Sequence, residues 1–122
     1  MTTAPTQPAV WINACPTHRL GPADGAAVLM PDGRQVALFR TLDDEYYAVD
    51  NIDPFTHAAV ISRGIVGDRG GEPTVASPML KNVFSLRTGQ SLDDEAVQLT
   101  TWPVRVHEST IQINTRAEQG TP

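Results

Sequence analysis

Few side chains in this sequence could perform covalent or metal chemistry, and they are spread along the chain. The histidines are His18, His57 and His107, and Cys15 is the single cysteine. Cys15 and His18 stand in a Cys-Pro-Thr-His string, which could offer a thiolate and an imidazole to a metal ion. One cysteine excludes an internal disulfide and a cysteine-rich metal site. We therefore interpret Cys15 as a small, partly buried apolar residue beside a loop histidine.

Residues 50–89 contain two turn-forming segments around which the rest of the chain is organised. The first is Asp53-Pro54, because the residue before a proline is pushed out of the helical region. The second lies at 77–82 and is followed by an F-x-L-x-T-G string that ends at Gly89. This layout resembles the cluster-binding subdomain of Rieske [2Fe–2S] proteins, in which each of two loops supplies one cysteine and one histidine.

The four ligand positions of that subdomain carry other residues in this sequence. Aligned with the Rieske loops, Asp53 and Phe55 stand at the first cysteine and histidine, and Ser77 and Leu80 stand at the second pair. A Rieske centre needs two thiolates on one iron and two imidazoles on the other. The resemblance therefore implies the Rieske fold without its cluster. We expect no metal, no cofactor and no catalytic residue in this chain.

Longer segments are similar to one family of ligand-less Rieske-like proteins, the small subunit of assimilatory NAD(P)H nitrite reductase. The matching segments are ALFR at 37–40, YAVDNIDPF at 47–55, SRGIVGD at 62–68 and EPTVASPMLKNVFSLRTG at 72–89, and the similarity runs from about Trp11 to Thr115. The resemblance implies a non-catalytic subunit that docks on a large subunit carrying FAD, an iron–sulfur cluster and sirohaem. That large subunit reduces nitrite to ammonium in nitrate assimilation.

The two loops are the expected docking surface, since in Rieske proteins the loop tips are where cluster and partner meet. The docking candidates are Asp53, Pro54, Phe55, Ser77, Pro78, Met79, Leu80 and Lys81. Exposed apolar tips are costly unless a partner covers them. The alternative is that Phe55 and Leu80 point inward and fill the volume of the cluster. Both can hold if Met79 points outward, and Asp53 is expected to order its own loop through an Asx turn.

Three other functions are compatible with parts of the sequence. A Rieske-type ferredoxin would carry electrons, but the ligand set argues against it. A free-standing interaction module would use the same fold with a partner unrelated to nitrite. A hydrolase would need Ser77 and His57 to meet across the two loops, and the sequence has no G-x-S-x-G elbow. For His57 a buried or hydrogen-bonded structural role is the favoured interpretation.

Composition excludes several classes of partner. The net charge is −5 and the nine basic residues are dispersed, which argues against nucleic-acid binding because that affinity comes largely from clustered Lys and Arg. No apolar run of 18 residues exists, so no membrane-spanning helix is expected. Residues 1–9 lack the basic start and apolar run of a signal peptide. The expected location is the cytoplasm.

The pattern of turns and short apolar runs predicts an all-β protein. Ten prolines and nine glycines are scattered through the chain, which favours many short strands over long helices. Strands are predicted at 10–12, 26–30, 36–40, 45–50, 74–76, 83–86, 97–107 and 110–114. The strands at 26–50 are expected to form an antiparallel meander. The glycine-rich residues 64–71 are predicted to be a tight loop, and 57–62 could be a helical turn or extended.

The predicted architecture is an antiparallel β-barrel or sandwich. The resemblance adds the Rieske-like subtype, with a small inserted two-loop subdomain at 51–89. We expect one domain over 10–115, a disordered lead-in over 1–9 and a frayed tail over 116–122.

Overall fold

The computed structural model describes residues 10–79 and 81–118, which form ten β-strands and two single turns of 3₁₀ helix. Leu80, the predicted lead-in over 1–9 and the tail residues 119–122 lie outside the described residues. No helix in the described part is long and apolar enough to cross a membrane. The strands are β1 (Trp11–Pro16), β2 (Gly25–Leu29), β3 (Gln35–Arg40), β4 (Tyr46–Asp50), β5 (Ile65–Arg69), β6 (Glu72–Ala76), β7 (Val83–Ser85), β8 (Thr101–Trp102), β9 (Val104–His107) and β10 (Thr110–Asn114).

These strands form three antiparallel sheets. The first has the order β1-β10-β9, the central sheet β2-β3-β4-β8, and the third β5-β6-β7. The all-β class and the antiparallel meander of β2, β3 and β4 are both confirmed. Strands β2 and β3 are joined by a hairpin turn at Pro31-Asp32-Gly33, with Gly33 at φ 93° and the Met30 amide donating to the Arg34 carbonyl at 2.8 Å.

Strand β3 of the central sheet is buried on both faces. In β3 the four residues 36–39 are fully buried, although neighbours along a strand point to opposite faces. Val36 and Leu38 face one core, and Ala37 and Phe39 face the other. The run V-A-L-F is therefore the continuous apolar pattern of a strand covered on two sides.

Each core is closed by a different outer sheet. The first sheet contributes Ile111 and Ile113 to one core, which also holds Trp102. The third sheet contributes Val75 and Phe84 to the other core. The arrangement confirms the sandwich, with the central sheet as its middle layer and the two-loop segment built around the third sheet.

The strand predicted at 97–107 is wrong as a single element. Pro103 divides it, and proline has no amide hydrogen to donate to a ladder. The residues before it form β8 in the central sheet, and those after it form β9 in the first sheet. The Pro103 carbonyl still accepts a hydrogen bond from the Asn114 amide at 3.0 Å. The proline marks the corner at which the chain changes sheets.

The tight loop predicted at 64–71 is also wrong, because most of it is strand β5. Gly67 pairs with Thr74 inside the β5–β6 ladder. Gly70 and Gly71 form the two-residue connection, with φ of 62° and 92°. Positive φ at both positions is what a type I′ hairpin turn requires, which explains the Gly-Gly pair. The glycines end the strand and do not break it.

Two further segments refine the predictions. Residues 57–62, left open between helical and extended, contain an isolated bridge from Ile52 to Ala59 and the start of the 3₁₀ turn Ile61–Arg63. In the predicted tail, Glu118 forms a bridge with Thr101. Ordered pairing thus extends at least to Glu118.

Candidate functional site: paired loops with a shared geometry

Three six-residue loops with one hydrogen-bond pattern lie within residues 53–90. We name them the first loop (53–58), the second loop (77–82) and the third loop (85–90). In each, the amide of the first residue donates to the carbonyl of the sixth. The three distances are 2.8 Å for Asp53 to Ala58, 2.8 Å for Ser77 to Asn82 and 2.9 Å for Ser85 to Gln90.

The fifth residue of each loop closes the turn. Its amide donates to the carbonyl of the first residue at 2.7 Å, 3.0 Å and 2.8 Å in the three loops. The fifth residues are His57, Lys81 and Gly89, with φ of 64°, 60° and 79°. This left-handed conformation costs little for glycine and more for residues with a Cβ.

The first residue of each loop carries a side-chain oxygen that orders the turn. The Asp53 carboxylate accepts the Phe55 amide at 2.8 Å, the Ser77 hydroxyl accepts the Met79 amide at 3.4 Å, and the Ser85 hydroxyl accepts the Arg87 amide at 3.2 Å. The Asx turn predicted at Asp53 is confirmed. A serine does the same more weakly, which is why Asp and Ser stand at these positions.

A hydrogen bond joins the first loop to the second through Asp53 and Ser77, the two residues that the sequence aligned with the Rieske cysteines. The Ser77 hydroxyl donates to Asp53 Oδ2 at 2.5 Å. Asp53 is fully buried and Ser77 is 1% exposed. The carboxylate also accepts the amides of Phe55 and Thr56 through Oδ1. Three donors therefore satisfy a buried carboxylate that would otherwise be costly to desolvate.

Phe55 and Met79 occupy different environments at the loop tips. The Phe55 ring lies 6.1 Å from the Phe84 ring between centroids and packs against the core that contains Phe84. Met79 is 51% exposed. Phe55 therefore points inward, at least in part, while Met79 points outward. Pro54 is partly buried, and Pro78 and Lys81 are exposed. Leu80, the remaining candidate, lies outside the described residues.

The residues at the four ligand positions do not fit a Rieske-type cluster. Asp53 and Ser77 use their oxygens on each other and on loop amides, and Phe55 presents hydrocarbon to a hydrocarbon core. Cys15 lies in β1 of the first sheet, paired with Ile111. No group of three or more His, Cys, Asp or Glu side chains within 10–79 and 81–118 is placed to hold a metal ion.

A hydrolytic triad is not assembled in the described part of the chain. Ser77 and Asp53 are bonded directly, with no histidine between them. His57 is exposed and its imidazole makes no hydrogen bond with the described residues, so the buried or hydrogen-bonded imidazole favoured from the sequence is wrong. His18 and His107 are exposed on other elements, and His107 lies 3.8 Å from Glu108.

Two features of the site were not predicted from the sequence. The third loop shares the pattern of the other two, and its Ser85 hydroxyl donates to the Glu72 carboxylate. The left-handed positions of His57 and Lys81 were missed because neither residue is the glycine or asparagine that usually indicates such a turn. The common sequence feature is an Asp or Ser four residues before the left-handed position.

Comparisons with known proteins match most of this chain to one family. The family model for the Rieske-like [2Fe-2S] domain matches residues 10–114. The NADH nitrite reductase small subunit of Salmonella typhimurium is 38% identical over 104 residues, covering 84% of this chain and 95% of that protein. A Mycobacterium tuberculosis structure, described as an NADH-dependent nitrite reductase small subunit, has a TM-score of 0.85 and 50% identity. That match covers 88% of this chain and 96% of the other.

A second kind of relative contains the same domain as a small part of a longer chain. The NAD(P)H nitrite reductase large subunit of Klebsiella oxytoca is 44% identical over 80 residues. The match covers 66% of this chain, which spans only 8% of the length of that protein. The domain thus occurs both as a separate chain and inside a large one.

Proposed function

The chain belongs to the Rieske-like [2Fe-2S] domain family and, within it, to the nitrite reductase small subunits, and we propose that it is the non-catalytic partner of a nitrite reductase large subunit. The reaction served is the NAD(P)H-dependent reduction of nitrite to ammonium in nitrate assimilation. The observation that carries this proposal is the match over 95% of the Salmonella typhimurium small subunit.

The cofactors of the reaction are proposed to lie in the partner. FAD, an iron–sulfur cluster and sirohaem belong to the large subunit, and this chain holds none of them. The support is chemical: oxygen and hydrocarbon side chains stand where two thiolates and two imidazoles would be needed. Purified chain should therefore contain no iron and show no visible absorption band. Stoichiometric iron with a Rieske-like spectrum would overturn this and favour the ferredoxin alternative.

The docking surface is proposed to be the tips of the first and second loops. Asp53 and Ser77 lock the loops together from within, so their contribution is to position the tips. Pro54, Pro78, Met79 and Lys81 supply the surface, with Phe55 supporting it from below. An exposed methionine beside prolines gives an apolar contact that adapts its shape to a partner. Leu80 completes the proposed set.

The proposal also includes a single functional unit and a cellular location. The functional unit is residues 10–115, with 51–89 as the two-loop subdomain that would hold a cluster in other members of the fold. The proposed location is the cytoplasm, as the family resemblance implies. Neither a nucleic acid nor a membrane is a proposed partner.

The decisive experiment is NAD(P)H-driven nitrite reduction by the purified large subunit, with and without this chain. We expect activity to appear or rise on addition, with co-elution of the two proteins. A docking-tip variant, Met79→Asp, should lower the stimulation without changing the melting temperature, because residue 79 is exposed. Separate elution and an unchanged rate would favour the free-standing interaction module.

A further inference from the structure

Two of the three loops carry a bulky polar side chain where glycine would be the easier choice. The fifth residue is glycine in the third loop, but histidine and lysine in the first and second. Both have φ near +60°, the left-handed region that an L-residue with a Cβ enters only at a conformational cost. A costly conformation at a partner-facing loop is a reason to look for a function of the side chain.

Nothing in the described chain accounts for these two side chains. His57 and Lys81 are exposed. Neither side chain makes a hydrogen bond or an ion pair within residues 10–79 and 81–118, where the ion pairs involve other residues. Lys81 is also the single lysine of the 122-residue sequence. The chain places its one lysine side chain two positions after the exposed Met79.

The two residues lie in loops that are bonded to each other. Each follows the first residue of its loop by four positions, and those first residues, Asp53 and Ser77, are bonded to each other. The same backbone bonds close both loops. His57 and Lys81 therefore occupy corresponding positions in two coupled loops, and both present nitrogen donors to the outside.

We propose that His57 and Lys81 form a paired contact for carboxylates on the surface of the nitrite reductase large subunit. This rests on the proposed function and adds the chemistry of the partner site: an apolar pocket for Met79, bordered by acidic side chains. An ammonium group donates only, and an imidazole can donate to a carboxylate. On a chain of net charge −5, a local cation at the tip would orient an acidic partner site toward this end.

Glycine substitution separates a contact role from a structural one. Lys81→Gly and His57→Gly remove the side chain and relieve the backbone at the same time. We expect the melting temperature to stay constant or rise by about 2–5 °C. The Kd for the large subunit should rise roughly tenfold in the double variant, and Lys81→Arg should keep most of the affinity. Added salt should weaken wild-type binding more than binding of the double variant.

The matched control is Ala23→Gly. Ala23 has φ 65°, and its amide donates to the carbonyl of Arg40. Arg40 ends β3, whereas the start of β3 pairs with Asp50, just before the first loop. This variant should relieve the backbone equally and leave the Kd unchanged. A double-glycine variant that binds like the wild type overturns the contact, as does one that loses affinity and stability together. If the wild-type chain itself fails to bind the large subunit, the proposed function fails as well.

A zero-length carbodiimide cross-link gives a second readout. The reagent couples an amine directly to a carboxylate, and Lys81 is the single lysine side chain available on this protein. We expect a cross-linked peptide that joins Lys81 to an Asp or Glu of the large subunit and is lost in Lys81→Arg. Cross-links that map only to the amino terminus of this chain would contradict the proposed contact.

Discussion

At the scale of single residues, a hydrogen bond joins Asp53 and Ser77, the two residues that the sequence aligned with the cysteines of a Rieske site. The sequence predicted the positions and the Asx turn at Asp53, because both follow from local turn chemistry. It did not predict the bond, because the loops are separated by 24 positions and meet only in the folded chain. In this protein a hydrogen bond makes the link that metal ligation makes in cluster-binding relatives of the fold.

Replacing Ser77 tests that link. Ser77→Ala should destabilise the protein by about 1–3 kcal/mol, since it leaves the buried Asp53 carboxylate with one donor fewer. Chemical denaturation would measure the change. Ser62→Ala is the control, because the Ser62 hydroxyl makes no hydrogen bond with the described residues. If both variants lost the same free energy of unfolding, the hydrogen bond between Ser77 and Asp53 would not be an important source of stability.

The single cysteine should react slowly. Burial raises the pKa of the Cys15 thiol, and nearby Arg19 lowers it by a smaller amount. A raised pKa leaves less thiolate at neutral pH, and the thiolate is the nucleophile. Alkylation of Cys15 by iodoacetamide at pH 7.5 should therefore be slower than alkylation of a cysteine peptide. The rise of the alkylation rate with pH should also occur at a higher pH in the protein than in the peptide. Equal rates and pH profiles would show that the thiol is not shielded.

At the scale of elements, most strands were predicted from alternation or from β-branched residues. The predictions failed at two places, where the role of a glycine or a proline was interpreted wrongly. The β2–β4 meander was predicted because its turns contain Pro-Asp-Gly and acidic residues. Strand β5 was missed because its glycines suggested a loop, although Gly70 and Gly71 form a hairpin turn. Pro103 was placed inside one strand, at an edge position or a bulge, although it separates strands of two sheets.

The fifth residue of the third loop, Gly89, lies so close to the backbone of Leu99 that a Cβ has no room. A Cβ added to Gly89 would lie 2.0 Å from the Leu99 carbonyl oxygen, and φ is already 79°. Gly89→Ala should therefore cost about 3 kcal/mol or more. Gly33→Ala is the control, because a Cβ there meets nothing within 4 Å at φ 93°. It should cost only about 1 kcal/mol. Thermal unfolding of both variants decides.

At the scale of the whole molecule, the central sheet couples two cores into one structure. The pattern of turns and short strands predicted the barrel or sandwich, and the family resemblance added the inserted two-loop subdomain. Neither predicted the two cores, because a strand buried on both faces shows no alternation. The apolar run at 36–39 is continuous because its alternate residues face two different cores. The sequence could not show which outer sheet covers which face, since that depends on contacts between distant strands.

Adjacent residues of β3 should therefore report on separate cores. Leu38→Ala opens a cavity toward the first sheet and should cost about 2–5 kcal/mol, and Phe39→Ala opens one toward the third sheet and should cost about 3–5 kcal/mol. Because both cores share the central sheet, each variant should still unfold in one transition, with near-ultraviolet and far-ultraviolet circular dichroism coinciding. Two separate transitions would show that the outer sheets melt independently.

The single lysine of the sequence allows a protease to cleave the second loop selectively. An enzyme that cleaves only after lysine has one possible site in the whole chain, the bond between Lys81 and Asn82. That bond lies in an exposed loop, so cleavage of the native protein should give two fragments and no others. If another protein covers the second loop, cleavage of this bond should slow. The fraction of uncleaved chain on a gel would then measure how much of the second loop is occupied.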